Sequence, residues 1–310
     1  MSMAISPREI LLLQSLKGFG NVAIRAVATE MLRFTNSDDG ELYRILQEMS
    51  RTKKLKPELP TWDVFLAASD NAEKLLEISA AKGIKMLTYQ DHDFPQIFFT
   101  AVSDKGKTDV PLMIHFQGNL DLARKPSLAV IGTREPNHVG LQAGEFFAAE
   151  FASCGVNIVS GLALGCDTAG HKGALSVDGS TTAILAGGLD SIFPKENTRL
   201  SELILEKGGL LISENPVRTA TNKYNLVSRD RLQAAMADAT LVIQTKVKGG
   251  TMHAARATLA SGKPLLVVDY KDKTDDVVMG NLLLRDMGAF ELSSLRWKED
   301  RQYYLNLLSR

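Results

Sequence analysis

The chain has 310 residues, 45% of them apolar and 23% charged, and its 36 basic and 36 acidic residues cancel to a formal net charge of zero. That length supports one large or two medium domains, and the neutral balance excludes a global basic field, so any nucleic-acid contact has to be a local patch. Two cysteines, Cys154 and Cys166, exclude a disulfide scaffold and a zinc site built from thiolates alone. A reduced, cytoplasmic setting is expected. The start, MSMAISPREILLL, lacks a basic segment and a small-residue cleavage site, so no signal peptide is expected. No apolar run reaches the ~18 residues of a membrane span, so no membrane contact is expected.

In chain order, residues 1–80 read as a small helical domain. Apolar residues recur at helical spacing in Ile10–Leu16, Val22–Leu32, Leu42–Met49 and Val64–Ile78. Turn signals separate them at Gly18 and Gly20, at Asn36–Gly40 and at Lys53–Pro60. Lys17-Gly18-Phe19-Gly20 is the hairpin of a candidate helix-hairpin-helix, equally suited to packing and to offering backbone N–H groups to phosphates. Residues 81–292 form the main domain, and 293–310 a tail. Ile84–Thr88 and Leu112–Phe116 are short strand candidates, separated by the loop that carries Asp104–Asp109. From residue 127 the pattern is regular. Apolar strands are predicted at Leu128–Ile131, Val156–Val159, Thr182–Leu185, Leu210–Ile212, Thr240–Ile243 and Pro264–Val268. Helices are predicted at Gly140–Ala152, Asp167–Val177, Arg199–Lys207, Arg229–Ala237 and Thr251–Ala260. Apolar strands alternating with helices specify an α/β fold with a doubly wound, mostly parallel sheet.

In such sheets ligands bind beyond the carboxyl ends of the strands. The segments found there are Gly132-Thr133-Arg134, Ser160-Gly161 through Asp167, Gly187-Gly188 through Lys195-Glu196-Asn197, Ser213–Pro216, and Thr245 through Lys248-Gly249-Gly250-Thr251. Glycines admit close approach of backbone N–H groups to an anion, helix N-termini add positive potential, and arginine forks onto phosphate. One such loop is equally well a tight turn; five together favour an anion site. Between Arg218 and Arg256, seven basic residues face two acids, Asp230 and Asp238, a local excess of five positive charges. Asp167 is expected to cap the helix that follows it. His171, one turn later, reads as a buried, hydrogen-bonded histidine in preference to a catalytic one. There is no G-x-x-x-x-G-K-[ST] loop, no G-x-G-x-x-G after the first strand, and no carboxylate pair or His/Cys cluster at catalytic or metal-ligand spacing. No cofactor is therefore expected.

The stretches VIGTREPNHVG, IVSGLALGCDTAGHKGAL, TTAILAGGLDSIFPKEN, GGLLISENP and KGGTMHAARATLASGKPLLVV occur in that order. They resemble the DprA/Smf family of DNA-processing proteins, and the resemblance runs from about residue 80 to 292. It implies a Rossmann-like core. It also implies a homodimer that binds and protects single-stranded DNA and assists loading of a RecA-type recombinase during DNA uptake and recombination, without enzymatic activity. Carried over by position, Arg134, Lys195, Arg229 and Arg231 would contact phosphates; with Gly132, Thr133, Ser160, Gly161, Asn197, Lys248, Gly249, Gly250 and Thr251 of the strand-end loops they make up the expected DNA- and phosphate-binding residues. Arg229 and Arg231 match a basic pair that opens a helix.

The chain departs from the family pattern in places. Arg229-Asp230-Arg231 stands where the family usually has Arg-Asn-Arg, Thr133 where it has Ser, and Gly170 where it often has Ala. Only about 18 residues follow the core, fewer than the winged-helix domain of many members needs. Two other readings use the same loops. One is a nucleotide hydrolase of the LOG type, but its catalytic glutamate is missing after Gly249-Gly250-Thr251, where Met252-His253-Ala254-Ala255 follows. The other is a sensor of a nucleotide-derived signal, as in phage defence.

Overall fold

The computed structural model describes residues 4–33, 38–103 and 105–308. Asn36 and Ser37 of the second expected turn, Asp104 of the expected acidic loop, Met1–Met3 and the last two residues of the tail lie outside them. The chain divides into two units, Met1–Phe94 with Pro111–His115, and Pro95–Val110 with Phe116–Arg310.

In the first unit, α1 (Pro7–Ser15), α2 (Asn21–Met31), α3 (Asp39–Arg51) and α4 (Trp62–Ala81) follow the apolar spacing of the sequence. Ser6 and Glu9 form a reciprocal capping box at the start of α1, each side chain accepting from the other's backbone N–H. Ile10–Leu13, Ile24, Val27, Ile45, Leu46 and Phe65 are buried between the helices. Gly18 takes a φ of +84° in the α1–α2 hairpin, a conformation a side chain would strain. The strand β1 (Lys85–Thr88) follows α4, and β2 (Met113–Gly118) begins in this unit and ends in the next.

The second unit is built on parallel strands: β3 (Ser127–Ile131), β4 (Asn157–Ser160), β5 (Thr181–Leu185), β6 (Leu210–Ser213), β7 (Ala239–Val242), β8 (Leu265–Val268) and β9 (Phe290–Leu292). Their order is β6-β5-β4-β3-β7-β8-β9, and every pair in the series is parallel. The chain winds outward from β3 to β6, then returns to lay β7 on the other edge of β3, with Ala129 beside Thr240. The winding therefore reverses between β3 and β7. Both faces are covered, which is why the central strands are buried at every position and mostly apolar. Leu128, Val130, Leu241 and Leu266 meet Phe147 and Phe151 of α5 (His138–Ser153) on one face. Ile131, Val242, Leu265 and Val267 meet Met252 and Ala255 of α9 (Thr251–Ala260) on the other.

The remaining helices are α6 (Cys166–Ser176), α7 (Thr198–Glu206), α8 (Lys223–Met236), α10 (Met279–Asp286) and α11 (Trp297–Asn306). The doubly wound α/β sheet expected from sequence is present. It also carries β9 and α10, which the sequence pattern does not predict, and it differs at two further places. First, α8 starts at Lys223, capped by the Asn222 side chain on Asn225 N–H, so Arg229 and Arg231 sit mid-helix and do not open it. Second, the segment read as a bare tail carries α11. Its Trp297 ring lies 4.8 Å from that of Phe151, and its indole N–H donates to Glu150 at 2.6 Å.

Candidate functional site

The reversal between β3 and β7 leaves a crevice past the strand ends, because the two following connections leave to opposite faces of the sheet. A cleft of about 540 Å³ opens there. Its walls are the loops after β3, β4 and β7, one side of α8 and the start of α9. Thr133 N–H donates to Gln244 O at 2.7 Å, which ties the β3 loop to the end of β7. The Gln244 amide then pairs with Asn137, donating to its Oδ1 and accepting from its backbone N–H. The β7 loop is held from below by α10: Asn281 Nδ2 donates to Ile243 O at 2.7 Å, Asn281 Oδ1 accepts from Thr245 N–H, and Gly280 N–H donates to Thr245 O. A loop fixed at both ends presents its backbone without an ordering cost on binding.

The cleft brings together Gly132, Thr133, Arg134, Arg229, Gly249, Gly250 and Thr251. Arg134 is exposed on its rim. The start of α9 has no side-chain cap, so its positive end faces the cleft. Asp230, noted in the sequence as an acid between two arginines, also lines the cleft, as do Lys223, Lys246 and His253, which are not among the expected site residues. The local charge excess had flagged both lysines, but charge alone does not say which way a lysine points. Lys246 is exposed and reaches Asp276 at 2.8 Å.

The other expected site residues are placed elsewhere. Lys195 is exposed on the short turn Lys195–Asn197, and Lys248 is exposed between lining residues; neither lines the cleft. Ser160 is buried and donates to Val130 O at 2.6 Å. Asn197 is buried too; its amide donates to Leu162 O and Thr168 Oγ1, both at 2.8 Å, and so clamps the β4 loop. Gly161 lies against the Arg229 guanidinium so closely that a Cβ would collide with it. Arg229 is 6% exposed and donates to Ile184 O at 2.8 Å. Arg231 is 4% exposed, and its guanidinium is held by both oxygens of Glu214 and by Asp109. It joins α8 to the β6 loop and to the 95–110 segment.

Asp167 is not the helix cap that the sequence suggested. Gly165 occupies that position, at φ +77°, and the Asp167 carboxylate turns back to accept from Gly161 and Ala163 N–H at 3.0 and 3.2 Å. Burial pushes its pKa up, while Arg229 and those two N–H groups oppose the shift. His171 is buried, as expected, with Nδ1 2.7 Å from Thr181 Oγ1. That hydroxyl donates to Ile158 O, so His171 donates from Nδ1 and is neutral; burial lowers its pKa to about 3. Asp167 and Asp230 both line the cleft, and the Asp230 carboxyl is pushed up to about 6 chiefly by burial, with Arg229 pulling the other way.

Among the described residues no cluster of histidine, cysteine or carboxylate side chains could hold a metal, and no helix is long and apolar enough to cross a membrane. Residues 85–296 match the family model of DNA recombination-mediator protein A. The protein Smf of Escherichia coli (strain K12) is 35% identical over 161 residues, 52% of this chain and 43% of the relative. The DNA processing protein DprA of Bacillus subtilis (strain 168) is 31% identical over 161 residues, 52% of this chain and 54% of the relative. The chain thus spans about half the length of these curated relatives. The crystal structure of DprA from Streptococcus pneumoniae superposes with a TM-score of 0.75 at 24% identity, over 95% of this chain and 98% of that one. DNA processing protein A from Helicobacter pylori, described for its single-stranded DNA binding mode, superposes with a TM-score of 0.60 at 28% identity, over 73% of this chain and 95% of that one. The family model covers more than half of the chain, and this chain belongs to the DNA recombination-mediator protein A family.

Proposed function

We propose that this chain binds single-stranded DNA by its phosphates in the cleft between β3 and β7, as a binding protein and not as an enzyme. The observation that carries this reading is the cleft itself: Arg134, Lys223 and Lys246 stand around glycine-rich backbone and an uncapped helix start at the winding reversal. Phosphate contacts position a strand without reading its sequence. Gly132, Thr133, Gly249, Gly250 and Thr251 bring backbone to the strand. Arg229 forms the floor, and Ser160, Gly161, Asn197 and Arg231 hold that floor and the loops in place. Exposed Lys195 and Lys248 extend the positive surface beyond the cleft.

The Cys166 thiol and the His171 imidazole are both held in unreactive forms, which supports binding without turnover. Burial pushes the Cys166 thiol up to about 12, so it carries no thiolate at neutral pH, and His171 is neutral and enclosed. No glutamate follows Gly249-Gly250-Thr251 to act in hydrolysis. On this reading the chain protects single strands and passes them to a RecA-type recombinase, acting as a homodimer in the cytoplasm. A sensor of free nucleotides uses the same cleft, and the carboxylate of Asp230 inside it suits a ligand amine. One titration separates the two: labelled oligo-dT against a panel of free nucleotides. Oligo-dT binding with weak competition from nucleotides is expected. Tight nucleotide binding without oligo-dT binding contradicts the proposal.

A further inference from the structure

Beside the cleft lies a smaller hollow of about 280 Å³, between α8, α9 and the 103–109 segment. It shares Val227, Asp230 and His253 with the cleft, so a strand gripped in one passes the other. Tyr224, Val227 and Asp230 are spaced three apart and form one stripe along α8. The stripe runs from an aromatic ring, 81% exposed, through an apolar side chain to an acid. An ordered helix that leaves a tyrosine ring almost wholly in water has a free flat apolar face at that point. At the other end of the stripe lies the Asp230 carboxylate, 3.4 Å from Arg229 Nε, with His253 and Arg134 as further cationic or titratable neighbours. Across the hollow, Ser103 and Lys105 add donors.

Resting on the single-strand reading above, we infer that this hollow is a nucleobase subsite, in which a base stacks on Tyr224 and donates its exocyclic amine to Asp230, so that cytosine is preferred to thymine there. A carboxylate only accepts hydrogen bonds. Cytosine offers an amino donor where thymine offers a carbonyl acceptor, so the two bases meet Asp230 with opposite signs. Every base has a π-face, so Tyr224 supplies affinity and Asp230 supplies the preference. An asparagine in place of Asp230 can turn its amide either way and serve both bases, so it removes the preference.

The test is fluorescence anisotropy with oligo-dC and oligo-dT of equal length near neutral pH, where the Asp230 carboxyl is ionised. The probes are titrated with the wild-type chain and with Asp230→Asn, Tyr224→Ala and Tyr224→Phe. The wild type is expected to bind oligo-dC about tenfold more tightly than oligo-dT, from one hydrogen bond to a charged acceptor. Asp230→Asn brings the two within about twofold, mainly by tightening oligo-dT as a negative charge leaves the cleft. Tyr224→Ala weakens both about tenfold and keeps their ratio, and Tyr224→Phe restores the affinity. Equal wild-type affinities, or a preference that survives Asp230→Asn, overturn the subsite and leave phosphate binding standing. Failure of every form to bind either oligonucleotide overturns both.

Discussion

At the scale of residues, the two arginines of the Arg229-Asp230-Arg231 run are both buried, whereas Arg134 is exposed on the cleft and can meet a ligand. Arg134→Ala should therefore leave the melting temperature unchanged and weaken single-strand binding for every sequence alike. Arg231→Ala should do something different. It leaves Glu214 partly buried without its counter-ion, and breaking such a pair costs about 3–5 kcal/mol. A large drop in melting temperature checks this; a folded, equally stable variant that has lost only DNA affinity contradicts it. Asp230 lies mid-helix, so it does not stabilise the start of α8 through the helix dipole. Its effect on stability comes from its pKa, which folding raises from 3.8 to about 6. Between those values the folded chain keeps a proton that the unfolded chain has released, so stability falls as pH rises from about 4 to 6 and stays lower above. Asp230→Asn removes that cost. It should stabilise the chain by about 2–3 kcal/mol at pH 7 and by nothing near pH 4. Thermal melts of both forms across that range read it directly, and a gain that persists at pH 4 contradicts the assignment.

At the scale of elements, α8 shows what the sequence could and could not disclose. Apolar runs such as Leu128–Ile131 and Leu210–Ile212, alternating regularly with helical segments, read as strands buried on both faces, and they appear where expected within a residue or two. The first turn of α8, Lys223-Tyr224-Asn225, has no apolar period because Lys223 and Tyr224 are exposed, so the sequence pattern starts the helix only at Arg229. Its one local signal was Asn222, a good N-cap residue. The orientation of Arg231 depends on Asp109 and Glu214, 122 and 17 residues away, and no local pattern carries such pairings. The strand β9 escaped because it is three residues long, with Phe290 and Glu291 exposed. The helix α11 escaped because its apolar side is a few aromatic residues, Trp297 and Tyr304, packed on α5. Trp297→Ala should cost about 3–5 kcal/mol of stability, from lost ring packing and the unpaired Glu150. Single-strand affinity of the folded variant should not change, since α11 does not line the cleft. Denaturant melts and anisotropy on one sample check both halves.

At the scale of the whole molecule, a chain of zero net charge is proposed to hold a polyanion, which requires the binding field to be local. The winding of the sheet supplies that locality. It collects glycine loops, a helix start and a few exposed cations at one crevice. Counterion release then sets the measurement that tests the account most directly: the affinity for oligo-dT as a function of salt, for the wild type and for Arg134→Ala. The logarithm of affinity should fall linearly with the logarithm of salt concentration, and the slope for Arg134→Ala should be shallower by about one unit. An affinity that salt does not change, a preference for duplex, or identical slopes for the two forms would contradict phosphate binding in this cleft.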